Sequence, residues 1–157
     1  FDIALRIAAL PDSSLRARRL RNVRQHVVAS PAYLQASGVP RHPAELAAHE
    51  TILYSLRCER TTWRFHSRDG EEATVDLNGQ LRINNGEAML PALCAGLGIS
   101  VMPDFIVAAE IANGRLVAIL EDWLPPPVAL YLVTPPGRIR PRRVEVTIDY
   151  LAKRLAG

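Results

Sequence analysis

Hydrophobic and polar residues follow one another along the chain in an order that predicts alternating strands and helices. Strands are expected at residues 2–7, 23–29, 51–55, 99–102, 116–120 and 128–133. Helices are expected at 32–36, 43–48 and 104–112, and at the C-terminus, where Val144, Ile148, Leu151 and Leu155 recur on one face. Alternating elements of this kind predict an α/β fold with a mainly parallel sheet and a buried first strand.

A hairpin interrupts this alternation in the middle of the chain. Trp63 and Phe65 alternate with polar residues, and Val75 and Leu77 resume the same alternation farther on. The Asp69-Gly70 pair between them is a strong hairpin turn signal. We therefore expect an antiparallel excursion inside the α/β pattern.

Residues 81–105 are the most informative stretch of the sequence. A polar turn leads into a helical repeat of Leu90, Leu93, Cys94 and Leu97, and Gly96 and Gly98 end it. Asn84 and Glu87 have the spacing of a capping box. Pro91 lies within the repeat and should leave a kink or an opened turn, because proline lacks a backbone donor.

Composition limits the class of protein. With 157 residues, 48% hydrophobic and 22% charged, the chain fits one domain or a pair of small lobes. It has no run of 18 apolar residues, and Cys58 and Cys94 form no CxxC pair, so we expect a cytoplasmic protein without membrane contact. The net charge of +3 includes two arginine clusters, one in residues 16–24 and one in residues 138–143. A nucleic-acid-binding face would explain them, but we interpret them as solvated surface, since neither has interleaved aromatic or glycine residues.

Motifs for catalysis and for metal binding are missing from the sequence. Gly96-Leu-Gly98 follows a helix, whereas a dinucleotide fingerprint follows a strand. The four histidines share no metal-ligand spacing, and there is no GxSxG elbow or Walker loop. A Ser-His-Asp set from distant residues stays open, because triads are recognised by geometry. We expect a binding module, not an enzyme, with no catalytic residue, metal or cofactor.

The candidate binding residues are the turns that follow predicted strands, because open α/β sheets bind ligands at the carboxyl ends of their strands. A helix start also offers free N–H groups and a partial positive charge, so the turn before residue 87 should accept an anion. For Ser30 and Asn84 simple helix capping is an equal alternative, and for Arg6 a surface ion pair is the alternative. The predicted site comprises Arg6, Ile7, Ser30, Pro31, Tyr54, Asn84, Asn85, Gly86, Met102 and Pro103.

Several motifs, in order, resemble the effector-binding domain of LysR-type transcriptional regulators. They are Phe1-Asp-Ile-Ala-Leu-Arg-Ile7, Val27-Val-Ala-Ser-Pro-Ala-Tyr-Leu34, Gly38-Val-Pro40, Asn84-Asn-Gly-Glu-Ala88, Gly96-Leu-Gly-Ile-Ser-Val-Met-Pro103 and Gly114-Arg-Leu116. The resemblance covers essentially the whole chain. It implies a type II periplasmic-binding-protein-like fold of two Rossmann-like lobes, with a small-molecule effector between them. The helix start after Asn84 favours an anionic effector.

Compared with that family plan, the first lobe is expected to be incomplete. Residues 1–22 and 133–157 would be the remnant of lobe one, and residues 23–132 would be lobe two. The resemblance implies a homo-oligomer, a dimer or a tetramer at full length, that contacts DNA only through an N-terminal helix-turn-helix not found in this sequence. A periplasmic-type solute-binding protein is the main alternative, and a nucleic-acid-binding module is the third.

Overall fold

The computed structural model describes residues 2–8, 16–55, 62–77, 79, 81–136 and 141–155. Four α-helices and a 3-10 helix, Pro43–Ala48, lie among its strands. The helices are α1 (Pro31–Ser37), α2 (Gly86–Cys94), α3 (Asp104–Ala112) and α4 (Arg142–Leu155). The strands are β1 (Ala4–Ala8), β2 (Arg16–Val23), β3 (Gln25–Ala29), β4 (Ile52–Tyr54), β5 (Thr62–Ser67), β6 (Glu72–Asp76), β7 (Leu81–Ile83), β8 (Ser100–Pro103), β9 (Val117–Ile119), β10 (Trp123–Leu124) and β11 (Val128–Thr134).

Contacts between Cα atoms divide the chain into two compact units. Unit 1 contains residues 1–24 and 127–157, and unit 2 contains residues 25–126. The expected crossings at 22/23 and 132/133 therefore lie elsewhere, at 24/25 and 126/127. The second crossing moves because all of β11 pairs with strands of unit 1, which places residues 128–132 there.

Unit 1 is built on a sheet in the order β1-β11-β2. The central strand β11 is antiparallel to both neighbours, so β1 and β2 run in the same direction. Helix α4 packs Val144 and Ile148 against Leu132 of β11. The expectation of a buried first strand is wrong, because Leu5 and Ile7 of β1 are 45% and 38% exposed. Strand β2 was not expected, since its arginine-rich sequence lacks an apolar alternation.

Unit 2 contains a sheet in which one strand is reversed. Strands β4 and β7 are parallel, and a parallel bridge between Thr51 and Ile99 joins β4 to β8. Strand β3 lies antiparallel between β8 and β9. In this unit every strand of the sheet except β3 therefore runs in the same direction, as expected for a mainly parallel sheet. The ladders on both sides of β3 are antiparallel, and so are the ladders of unit 1.

Side chains on both faces of the unit 2 sheet are buried. Val28 and Met102 on one face pack with Met89 and Leu93 of α2. Val27 on the other face belongs to a cluster with Phe65 of the hairpin. The hairpin itself is confirmed, because β5 and β6 pair antiparallel around the Asp69-Gly70 turn. Among the described residues, no helix is both long and apolar enough to cross a membrane.

Candidate functional site

Three strands of unit 2 end side by side at one edge of its sheet. Strands β7, β4 and β8 run in the same direction, so their carboxyl ends share this edge. The backbone N–H of Ser55, after β4, donates to the carbonyl oxygen of Ile83 at 3.0 Å. Tyr54 is therefore adjacent to the turn at Asn84, as the sequence pattern predicts. Pro103 ends β8 at the same edge.

The polar turn after β7 forms the start of α2. Asn85 is the N-cap, and its Oδ1 atom accepts a hydrogen bond from the N–H of Ala88 at 3.1 Å. The predicted capping box on Asn84 and Glu87 is wrong by one position, because the helix begins at Gly86 and leaves Asn84 outside it. By helix geometry, the N–H groups of Gly86 and Glu87 have no acceptor within the helix. Among the residues that the structure describes, neither N–H group has an acceptor, so both are free donors at this turn.

A second helix begins beside the first. Pro103 is the N-cap of α3 and provides no capping side chain, while Asp104 Oδ1 accepts from the N–H of Phe105 at 2.7 Å. The two helix starts are in contact, since a Cβ built on Gly86 would lie 2.8 Å from Cδ1 of Ile106. The carboxylate of Asp104 already accepts a hydrogen bond from a backbone N–H at the start of α3. The start of α2 is therefore the better anion-binding site.

Helix α2 differs from its predicted apolar face. Met89 and Leu93 are fully buried, whereas Leu97 is 54% exposed and lies beyond the helix. The helix is assigned through Pro91 and continues to Cys94. Pro91 still leaves one carbonyl group of the preceding turn without its helical donor.

Met102 cannot present its side chain to a ligand in this structure. It is 1% exposed and belongs to the core cluster between the sheet and helices α2 and α3. Its neighbour Pro103 is half-buried, and so is Tyr54, which packs against the same cluster. At this edge, Met102 acts through packing, while Tyr54 and Pro103 have accessible surface.

Ser30 and Pro31 lie at the opposite edge of the sheet. Because β3 is antiparallel to β8, Gln25 is paired with Pro103, and the far end of β3 lies beside Ser100. Ser30 follows that far end, where its Oγ atom caps α1 by accepting from the N–H of Tyr33 at 3.2 Å. The predicted grouping of Ser30 and Pro31 with the turn at Asn84 is wrong, and simple capping accounts for Ser30.

Arg6 and Ile7 are on β1 in unit 1. Arg6 pairs with Tyr131 and Ile7 with Leu130, and both side chains are exposed. Within the part of the chain that the structure describes, Arg6 has no carboxylate partner, so the alternative of a surface ion pair gains no support there.

Sequence reasoning missed a groove in unit 2. It has a volume of about 440 Å³ and lies between residues 34–41 and β9 with the turn that follows it. Trp123 lines it, with its ring 4.7 Å from that of His42. No local signal could reveal this groove, because its walls are far apart in the sequence.

A short ionic cluster joins α2 to α3 and was also missed. Arg115 forms an ion pair with Glu110, and Cys94 Sγ lies 3.9 Å from Glu110 Oε2. Burial, followed by the negative charge of Glu110, raises the pKa of the Cys94 thiol. This shift disfavours the thiolate, which is the nucleophilic form of cysteine.

Two α/β units joined by two crossings, with helix starts at the carboxyl ends of parallel strands, define a binding-protein class of fold. Residues 1–156 match the family model of the LysR substrate binding domain. The chain belongs to this family.

Relatives and solved structures agree with the family model. The chain is 39% identical over 154 residues to the HTH-type transcriptional regulator PtxR of Pseudomonas aeruginosa, covering 98% of this chain and 49% of that protein. The full-length virulence activator AphB of Vibrio cholerae matches with a TM-score of 0.82 and 29% identity, over 99% of this chain and 52% of that one. The regulatory domain of CrgA from Neisseria meningitidis matches with a TM-score of 0.77 and 32% identity, over 98% and 75%.

These comparisons establish the class of function. The relatives are LysR-type transcriptional regulators with effector-binding regulatory domains, and the fold is of the type II periplasmic-binding-protein kind. The alternative of a periplasmic-type solute-binding protein is not favoured. The chain spans about half the length of curated relatives such as PtxR.

Proposed function

We propose that this chain senses a small organic anion for a LysR-type transcriptional regulator, and that the anion binds at the start of α2. The observation that carries the proposal is the turn at Asn84, Asn85 and Gly86. The side chain of Asn85 caps the N–H of Ala88, and the N–H groups of Gly86 and Glu87 stay free. Free N–H groups and the helix dipole favour a carboxylate at this position.

Neighbouring side chains would complete this seat. Tyr54 and Pro103 have accessible surface at the same edge of the sheet. Met102 would support the seat from the core, and Ser30 and Pro31 are left out of the proposal because they lie at the other edge. Arg6 and Ile7, which lie in unit 1, stay predictions from the sequence.

For the whole protein, we infer a cytoplasmic regulator that assembles as a dimer or a tetramer. DNA recognition would belong to an N-terminal helix-turn-helix, as the names of the relatives suggest. The effector would alter regulation by binding the regulatory domain in one of its states more tightly than in another.

The test is calorimetry on the full-length protein with a panel of small carboxylates and their neutral amides. A carboxylate that binds is then measured against Glu87→Pro, which removes one free donor in the first turn of α2, where the lost N–H breaks no helical hydrogen bond. The matched control is Glu87→Gln, which removes the same charge and keeps the donor. Loss of a charge-assisted hydrogen bond should weaken binding about tenfold to a hundredfold.

The two variants should change the affinity for the effector in different directions. Glu87→Gln removes a negative charge near the anion and should leave affinity equal or higher, whereas Glu87→Pro should lower it. Equal affinity in both variants would place the effector elsewhere. Arg6→Ala is measured in parallel, and unchanged affinity in that variant would remove Arg6 from the site without affecting the assignment to α2.

A further inference from the structure

The two units carry opposite net charges. Residues 1–24 and 127–157 contain twelve of the nineteen Lys and Arg and four of the sixteen Asp and Glu, which gives unit 1 a net charge of +8. Residues 25–126 contain the other seven basic and twelve acidic residues, which gives unit 2 a net charge of −5. The modest total of +3 therefore hides a strongly basic unit 1.

Much of this positive charge lies along one strand. Strand β2 has the sequence RARRLRNV and is paired only with β11 among the described residues, so it is an edge of its sheet. Arg18 is opposite Leu132, on the face that packs against α4, whereas Arg19 is opposite Tyr131, on the other face. Arginines thus project from both faces of the edge.

On the face of the sheet away from α4, a second arginine lies near Arg19. Arg6 of β1 is also opposite Tyr131, so Arg6 and Arg19 flank the tyrosine from its two sides. Residues directly opposite on neighbouring strands have Cβ atoms about 5 Å apart. The positive charge therefore continues across the sheet and is not confined to its edge.

These arginines are not neutralised by acidic neighbours in the part of the chain that the structure describes. None of the four ion pairs involves an arginine of β2, and Arg19 instead donates to the side-chain oxygen of Asn22. In unit 2, by contrast, Arg68 pairs with Asp122 and Arg115 with Glu110. Unpaired charge on an exposed strand favours an external anionic partner.

We propose that the arginines of β2 form a surface that binds the phosphate backbone of double-stranded DNA without regard to sequence. The arginines of β2 lie between Arg16 and Arg21, over about 17 Å, comparable to roughly five base pairs of duplex. A line of charges of this length matches a linear polyanion better than a compact ligand. The choice of DNA rests on the proposed function, since the relatives are DNA-binding regulators.

A DNA-binding surface on β2 departs from the expectations that DNA is contacted only through a helix-turn-helix and that the arginine clusters are solvated surface. Base recognition is not part of this proposal. A strand edge with arginines on both faces can contact phosphates, but it has no element that enters a groove. The surface would hold DNA that the helix-turn-helix of the full-length regulator has already selected.

The test is fluorescence anisotropy of a labelled random-sequence duplex of about 30 base pairs, titrated with the 157-residue chain at 50, 100 and 200 mM salt. The variant combines Arg16→Gln, Arg18→Gln and Arg19→Gln, which removes three exposed arginines of β2. The matched control combines Arg41→Gln, Arg64→Gln and Arg82→Gln, which removes the same charge from exposed positions of unit 2. Circular dichroism melts check that both variants fold.

Wild-type affinity should fall steeply with salt. Each phosphate contact contributes about 0.9 to the slope of log K against log salt, so the β2 variant should lower that slope by about 2.7. Three contacts correspond to roughly a fortyfold change in affinity between 50 and 200 mM salt. The unit 2 control should change the affinity less than about twofold.

Three outcomes would overturn the assignment. Equal weakening in both variants would show a dependence on net charge alone. Equal binding of vesicles containing anionic lipid would assign the surface to membranes. A self-association that the β2 variant abolishes, with DNA binding unchanged, would assign it to a second copy of the chain. Effector calorimetry is independent of all three, so failure of the DNA surface and failure of effector sensing are distinguishable.

Discussion

Gly98 lies against the carbonyl group of Glu50. A Cβ built on Gly98 would be 2.5 Å from that oxygen, and the backbone φ of Gly98 is +146°. The same oxygen accepts a hydrogen bond from the N–H of Ile99 at 2.9 Å, within the bridge that joins β4 to β8. A side chain at position 98 would therefore separate two strands whose ends form the proposed effector seat.

Gly98→Ala should lower the free energy of unfolding by at least about 2 kcal/mol, because both the close contact and the φ value oppose it. Gly114→Ala is the control, since Gly114 has φ +70° with open space around it, and it should cost only about 1 kcal/mol. Urea denaturation of the two variants measures the difference. Similar losses in both would contradict the close approach.

Leu93 and Leu97 share the predicted apolar face of α2 but differ in burial, at 0% and 54% exposed. Leu93→Ala should destabilise the protein by about 2–5 kcal/mol through the cavity that it leaves. Leu97→Ala should change stability by less than about 0.5 kcal/mol. Thermal unfolding of both variants tests this, and a large effect of Leu97→Ala would restore the face expected from the sequence.

Asn85, not Asn84, caps α2. Asn85→Ala should cost about 1 kcal/mol, the usual loss for removing an N-cap side chain. Asn84→Ala should be nearly neutral, since Asn84 is exposed and outside the helix. Chemical denaturation compares the two, and the reverse order would support the capping box at Asn84 and Glu87.

Cys94 should react slowly with thiol reagents, because burial and the neighbouring Glu110 raise its pKa and so reduce the thiolate fraction. In a Cys58→Ser background, reaction with DTNB should become faster as the pH is raised through and above the ordinary thiol pKa. Glu110→Gln removes one cause of the raised pKa and should speed the reaction near pH 8. No change in that variant would leave burial as the sole cause.

Local sequence signals located several elements whose formation depends on neighbouring residues. The bounds of α3 and the Asp69-Gly70 hairpin follow from periodicity, from the residues that begin a helix and from those that favour tight turns. The family resemblance, carried by motifs along the whole chain, identified the fold and the regulatory class. The turn at Asn84, Asn85 and Gly86 was located by the same local reasoning.

Only the tertiary structure decided which of these turns share an edge. Ser30 follows β3 and Pro103 ends β8, but β3 runs opposite to β8, and strand direction depends on pairing between residues nearly eighty positions apart, such as Gln25 and Pro103. The core position of Met102 likewise depends on α2 and α3 packing over one face of the sheet. Periodicity reports which residues are apolar, whereas long-range pairing determines which of them meet and which edge is left for a ligand.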